Sequence, residues 1–467
     1  MGVHRRHRWH HRRASVTWPG HVPVIWHSPL TLSGWLTDEP ESIEVQPPRS
    51  NLRSPILPMS EDTERETGQA GAIRFAYEPP VLRIGTGAVA ELESELAEQG
   101  FERALVICGQ TVGSTPGVIN PVRDGLGDRL AGVFAETTPQ KRLGTAIDGL
   151  EALQNADADV IVGLGGGSSL DTAKVVSVLA ATEDDPAAVG REFAETGTIT
   201  VPESGLVPIV AIPTTLAGAD CSMVAGVTAD PETCPVESPT SGGISGPGLM
   251  PVAVHADPEL VATTPRSTLA ASAMNGFDKG IETLYASTAS PVTDATAMRG
   301  LAVFYEGLLA FGETEDPSPS VYERLVEGAT LVQYGISRAD GTTLSLIHAA
   351  GHGLTRTYPV QQGAAHAVVA PHALRWLFDR VDGRRKLLAR AFGVEDAADP
   401  ADAVVAAVED VVAALDLPTR LRDVDGPTPD EFPAVAEDIR TDGFMPNAPT
   451  GLDPTNEEIV ELLEAAW

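Results

Sequence analysis

The chain has 467 residues, with 65 acidic side chains against 32 basic ones and a formal net charge of −33 at pH 7. A polyanion gains no counterion-release energy from nucleic acid, and every apolar run falls well short of the roughly 18 residues a membrane helix needs, so neither partner is expected. Cys108, Cys221 and Cys234 match no zinc spacing and cannot form a disulfide framework, which fits a reducing, cytoplasmic setting.

The charge is unevenly spread. Residues 1–58 carry seven Arg and four acids, a net +3, together with six of the eleven His and four of the six Trp, leaving −36 to residues 59–467. The only Lys residues are Lys141, Lys174, Lys279 and Lys386. An acidic, Lys-poor surface is what high salt selects, because carboxylates hold water and salt screens their repulsion, so a halophilic host is expected. The paired arginines Arg5-Arg6 and Arg12-Arg13 resemble an export signal, but Pro19, His21, Pro23 and His27 interrupt any apolar core. Residues 1–72 are therefore expected to be a disordered or over-extended leader, with translation starting at Met59.

From Ile73 the pattern is that of an α/β domain. An amphipathic helix is predicted over 88–99, stopping at Gly100, and buried strands over 104–108, 159–164 and 206–212. Strands separated by helical stretches predict a Rossmann-like, doubly wound parallel sheet over 73–256, with ligands at the strands' carboxyl ends. The Pro-, Gly- and Ser-rich stretch 229–251 reads as a long loop or hairpin. Helical periods then run from Pro258 to the end, giving an all-helical domain over 257–467 that closes on the capping box Thr455-Asn456-Glu457-Glu458.

Three clusters carry chemistry. The first, Gly165-Gly166-Gly167-Ser168-Ser169-Leu170-Asp171-Thr172-Ala173-Lys174, lies between a buried strand and a helix. There glycines admit close backbone approach and a helix N-terminus offers N–H groups to a pyrophosphate. The second, Thr214, Thr215, Leu216 and Gly218 at the next strand end, fits the nicotinamide side of the same cofactor. The third lies in the helical half, where His348, His352, His366 and His372 fall within 25 residues, and where Asn275 and Lys279, like His348 and His352, are spaced i, i+4 on one helix face.

The motifs GGGSSLDTAK, IPTTLAG, DPEL, MNGFDKGIETLYA and IHAAGHGL…HAVVAPHALRW resemble the iron-containing (group III) alcohol dehydrogenase superfamily, from about Tyr77 to Trp467. The MN pair and the HAVV-PHAL segment are most similar to its maleylacetate reductase branch. The resemblance implies a Rossmann-like domain plus a helical domain, a possible homodimer, and a nicotinamide-linked alcohol dehydrogenase or reductase acting on a small carbonyl or alcohol. It also implies NAD or NADP: the acid that many relatives place after the first strand is replaced by Gly109-Gln110-Thr111. The relatives' metal-ligand positions fall on Asn275, Lys279, His348 and Gln362, where a single genuine ligand type remains, so no metal is expected. Lys279 would then stabilise the oxyanion, supported by His348 or His352 as proton donor, unless it merely pairs with Glu282 on the surface. Arg338, Arg356 and Arg375 are the candidate clamps for an acidic substrate. Two other readings stay open: a lyase of the dehydroquinate synthase kind and a metal-dependent alcohol dehydrogenase.

Overall fold

In a computed structural model, described for residues 72–467 apart from 183, 233 and 235, the expected α/β and helical halves are both present. The strands among the described residues are β1 (Val81–Ile84), β2 (Ala104–Gly109), β3 (Leu130–Thr137), β4 (Val160–Gly165), β5 (Ile209–Pro213), β6 (Val224–Ala229), β7 (Thr240–Ser245) and β8 (Ala253–Ala256). Six of them form one sheet in the order β1-β8-β5-β4-β2-β3, with every neighbouring pair parallel. The chain passes outward from β2 to β3, then returns to β4 on the other side of β2. That reversal opens the crevice at the carboxyl ends of β2 and β4 where ligands of such sheets bind.

The three predicted strands are β2, β4 and β5. The third begins at Ile209 rather than 206, since Pro208 has no N–H to give the ladder, though its carbonyl accepts from Ile161. β1, β3 and β8 carry too little pattern to be read: β1 and β8 have four residues each, and β3 is a half-buried edge strand. The 229–251 stretch supplies β7, which pairs antiparallel with β6 as a hairpin. The 88–99 helix starts as a 3₁₀ turn (Ala88–Glu91) and ends on Gly100, whose φ of 82° suits a glycine cap. The leader expected over 1–72, with its start at Met59, lies outside the described residues but for Ala72.

After β8 no further strand occurs among the described residues. The helical half wraps one central helix, Arg266–Tyr285, buried from Leu269 to its end except at Lys279. A helix buried all round is expected to be apolar all round, yet this one carries Asn275, Asp278, Lys279 and Glu282. Polar groups are placed there at a desolvation cost, which makes the helix the candidate for a site. Beside it the helices Pro291–Gly312 and Pro319–Gln333 approach to backbone contact through Gly328: a Cβ there would lie 2.7 Å from the Phe304 nitrogen and 2.6 Å from its Cβ. Gly328→Ala is expected to lower the unfolding free energy by about 1–3 kcal/mol, as overpacking against main chain does, in a denaturant titration.

Candidate active site

β4 ends at Gly165, and the helix Gly167–Ala181 begins after Gly166 without any side-chain cap. Its first N–H groups are thus left for a ligand, at the positive end of a 15-residue helix dipole. Gly166, Gly167, Ser168 and Thr215 are partly exposed on this edge, so the cradle is open. The other predicted cofactor residues support it from within. Gly165 and Gly218 are buried backbone, and Thr214 donates its N–H to Gly165. Ser169 shares a 2.8 Å hydrogen bond with Thr137, and Leu216 receives Ser272 Oγ at its N–H. Asp171 is committed elsewhere: its carboxylate takes Lys141 Nζ at 2.6 Å and the Gly226 N–H at 3.0 Å, tying the helix to the β6–β7 hairpin.

The second part of the site lies on the central helix. Lys279 Nζ donates to Ala217 O at 2.7 Å and lies 3.4 Å from Gln333 Oε1. It does not pair with Glu282, so the surface-pair reading of Lys279 is corrected. Burial pushes the ammonium down to about 8, with Asp220 pulling it up and Lys174 pushing it further down. Glu282 instead holds His348. Its Oε1 accepts the His348 backbone N–H at 3.0 Å, and its Oε2 lies 2.6 Å from Nδ1. Burial pushes Glu282 up to about 7, against the N–H groups that stabilise its charge. The Nε2 of His348 faces Asn275 Oδ1 at 3.2 Å. Burial first, then the nearby His366 and Lys279, holds His348 well below the usual histidine range, so at neutral pH it is an uncharged imidazole.

His352 lies one turn further on, 29% exposed, with Nδ1 3.0 Å from Asp442 Oδ2. Arg356 shares that oxygen at 2.6 Å. Burial alone would raise Asp442, but the His352 contact, a backbone N–H and Arg356 hold it low. His366 packs edge-on against His348, with centroids 4.5 Å apart, and lies 3.1 Å from Asp278, both fully buried. His372 sits further along the helix Gln362–Arg380 and is not part of this cluster's contacts. All three proposed clamps have acid partners, Arg338 in Asp340, Arg375 in Glu409 and Arg356 in Asp442, and of the three Arg356 is the one beside His352.

The family's ion does not fit the four positions expected to hold it. Asn275, Lys279 and His348 converge, while Gln362 opens its helix half-buried. The set offers one imidazole, two neutral amides and an ammonium, whereas a divalent cation needs three or four deprotonated donors. Among the described residues, no three His, Cys, Asp or Glu are arranged to hold an ion. Sequence reading missed Glu282 as the His348 partner, and Asp442 and Gln333 altogether. Glu282 shares the central helix face with Asp278 and so carried a signal; Asp442 and Gln333 reach their partners from 90 and 54 residues away and carried none. Glu282→Gln keeps one acceptor oxygen for contacts that now use both carboxylate oxygens, and is expected to cost about 1–3 kcal/mol of stability by chemical denaturation at pH 7.5.

The α/β half matches the family model for iron-containing alcohol dehydrogenase over residues 79–258, and the helical half matches the Fe-containing alcohol dehydrogenase C-terminal model over 269–467. Lactaldehyde reductase of Escherichia coli strain K12 is 28% identical, across 82% of this chain and 97% of its own. Maleylacetate reductase 1 of Cupriavidus pinatubonensis is 24% identical, across 77% and 88%. Among solved structures, sulfoacetaldehyde reductase from Bifidobacterium kashiwanohense in complex with NAD+ shares the fold at a TM-score of 0.73 and 20% identity, covering 85% of this chain and 99% of that one. The chain belongs to the iron-containing alcohol dehydrogenase family and is an oxidoreductase of the alcohol dehydrogenase and reductase type.

Proposed function

We propose that this chain is a metal-independent, NAD(P)H-linked reductase of small carbonyl compounds in which Lys279 replaces the Lewis acid. The observation that carries this reading is the Lys279 ammonium itself, buried at a position where relatives hold an ion ligand. Two of its three N–H bonds point to Ala217 O and Gln333 Oε1, which leaves one for a substrate oxygen. The nicotinamide cofactor is supported by the uncapped glycine loop at the β2/β4 crevice, and by relatives that include an NAD-dependent methanol dehydrogenase and the NAD+-bound sulfoacetaldehyde reductase. No carboxylate follows β2 at Gly109-Gln110-Thr111, so the 2′-phosphate of NADP meets no repulsion there.

Lys279 donates a hydrogen bond to the carbonyl oxygen, withdrawing charge as hydride from the dihydronicotinamide reaches the carbonyl carbon. The alkoxide then takes the ammonium proton. His348, neutral and held between Glu282 and Asn275, fixes the wall of the site rather than supplying the proton. Lys279, the partly exposed position of the central helix after Leu269, regains its proton from water. The substrate class is a small aldehyde or ketone, and a substrate carboxylate would have to share Arg356 with Asp442. Maleylacetate and lactaldehyde, named by the relatives, head the panel.

Lys279→Ala is expected to cut kcat by about 10²–10³-fold or more, with cofactor affinity little changed and partial rescue by methylammonium. Turnover of the unaltered enzyme is expected to survive a chelator. Because reduction uses the protonated amine, kcat/KM should be flat below the Lys279 value of about 8 and fall roughly tenfold per pH unit above it. Unchanged kcat in Lys279→Ala, or turnover only with added metal, overturns the reading.

The acid excess extends the proposal to a saline setting. Raising KCl from about 0.1 M to about 2 M, which shrinks the Debye length severalfold, is expected to raise the unfolding temperature; a fall would contradict it.

A further inference from the structure

Behind Lys279, between the cofactor loop after β5 and the helix Pro319–Gln333, lies a small cavity lined by Thr215, Leu216, Gly218, Asp220, Thr330 and Gln333. About 10 Å³ of it is open to the centre of a water molecule, room for one. Gln333 is 2% exposed, and its Nε2 has no hydrogen-bond partner among the described residues. A buried donor left without an acceptor is costly, so its persistence calls for a ligand. The other end of the same amide faces the Lys279 ammonium. Gly218, with φ of 81°, makes room for this arrangement: a Cβ there would sit on the Gln333 amide.

We propose that Gln333 is the positioning residue of Lys279: its amide oxygen aims the ammonium, and its amide nitrogen is anchored by one water molecule bound in the cavity. This rests on the reading of Lys279 as the proton donor. A lysine side chain has four soft torsions, and a single acceptor, Ala217 O, leaves the ammonium free to swing about that bond. A second acceptor fixes the direction of the third N–H. The lining offers polar groups for the two to four partners a water needs: beside the Gln333 amide, it includes Asp220, Thr215 and Thr330, whose hydroxyl already donates to Val326 O and so can accept. Ala217 lies between Leu216 and Gly218, so the loop after β5 carries one of the contacts that aim the amine, and through Gly218 it packs against the Gln333 amide that makes the other.

The test compares Gln333→Met, which keeps the volume and loses both polar ends, with Gln333→Glu, which keeps an acceptor, and with Lys279→Met. For each, kcat and KM are measured with NADPH or NADH and a carbonyl substrate, cofactor Kd by dihydronicotinamide fluorescence, and folding by thermal melt. Gln333→Met is expected to lose about 10- to 100-fold in kcat, as misplacing a reacting group by an ångström does, with KM and cofactor Kd within about twofold. Gln333→Glu is expected to recover most of that loss. Should Gln333→Met fail to fold, Gln333→Asn, which withdraws the amide by one methylene, takes its place with the same expectation. Wild-type kcat in Gln333→Met beside an inactive Lys279→Met overturns the positioning role alone. Equal losses in Gln333→Met and Gln333→Glu also overturn it, since they reflect packing. Turnover retained in Lys279→Met overturns both this role and the donor it serves.

Discussion

The hydrogen bond from Lys279 to Ala217 O is the contact on which the site depends. It joins the buried central helix of the helical half to the loop that follows β5 of the sheet, at 2.7 Å. An ammonium withdrawn from water loses solvation that one carbonyl cannot replace, so the group is held toward its neutral form, and a Lys so placed gives up its proton more readily than one on the surface. Lys174 makes the same kind of bond nearby, donating to Ala219 O and Val224 O from full burial. Two of the four lysines in the chain therefore clamp residues 217–224, one from each half of the fold.

Beneath Lys279 lies a layer of acids and imidazoles whose charges burial suppresses. His366 is pushed down to about 3 and Asp278 well up, so the 3.1 Å contact between them joins two largely neutral groups. Glu282 keeps closer to ionisation because it accepts main-chain N–H groups as well as His348. In metal-holding relatives an ion would dominate the electrostatics of such a place. Here the side chains present offer the wrong donors for one, and Lys279 places an ammonium among them.

The parts legible in the sequence were those whose signal is local. The β4–glycine–helix unit declares itself because an apolar strand, a turn that needs glycine and a helix start must be adjacent in the chain. The capping box at Thr455 and Glu458 is likewise local and forms as expected. Lys279 stood out through composition, since a chain that avoids lysine keeps one at this place. What could not be read was long-range or short. β1 and β8 have four residues each, too few for a period to emerge. The alternative pairing of Glu282 with Lys279 rested on i+3 spacing, whereas a buried helix turns each side chain to a different neighbour. Asp442 and Gln333 reach the site from helices and turns whose packing no spacing rule encodes.

The most direct measurement is the titration of lysine side chains by NMR in protein labelled at lysine Cε, because the whole chain contains only Lys141, Lys174, Lys279 and Lys386. The Lys279 resonance is identified by its loss in Lys279→Arg. A buried ammonium serving as the proton donor predicts that this resonance titrates near 8, moves when cofactor and a carbonyl analogue bind, and is unaffected by Zn²⁺ or Fe²⁺. A Lys279 that titrates at the ordinary value near 10.5, or whose signal shifts on adding the metal, would contradict it.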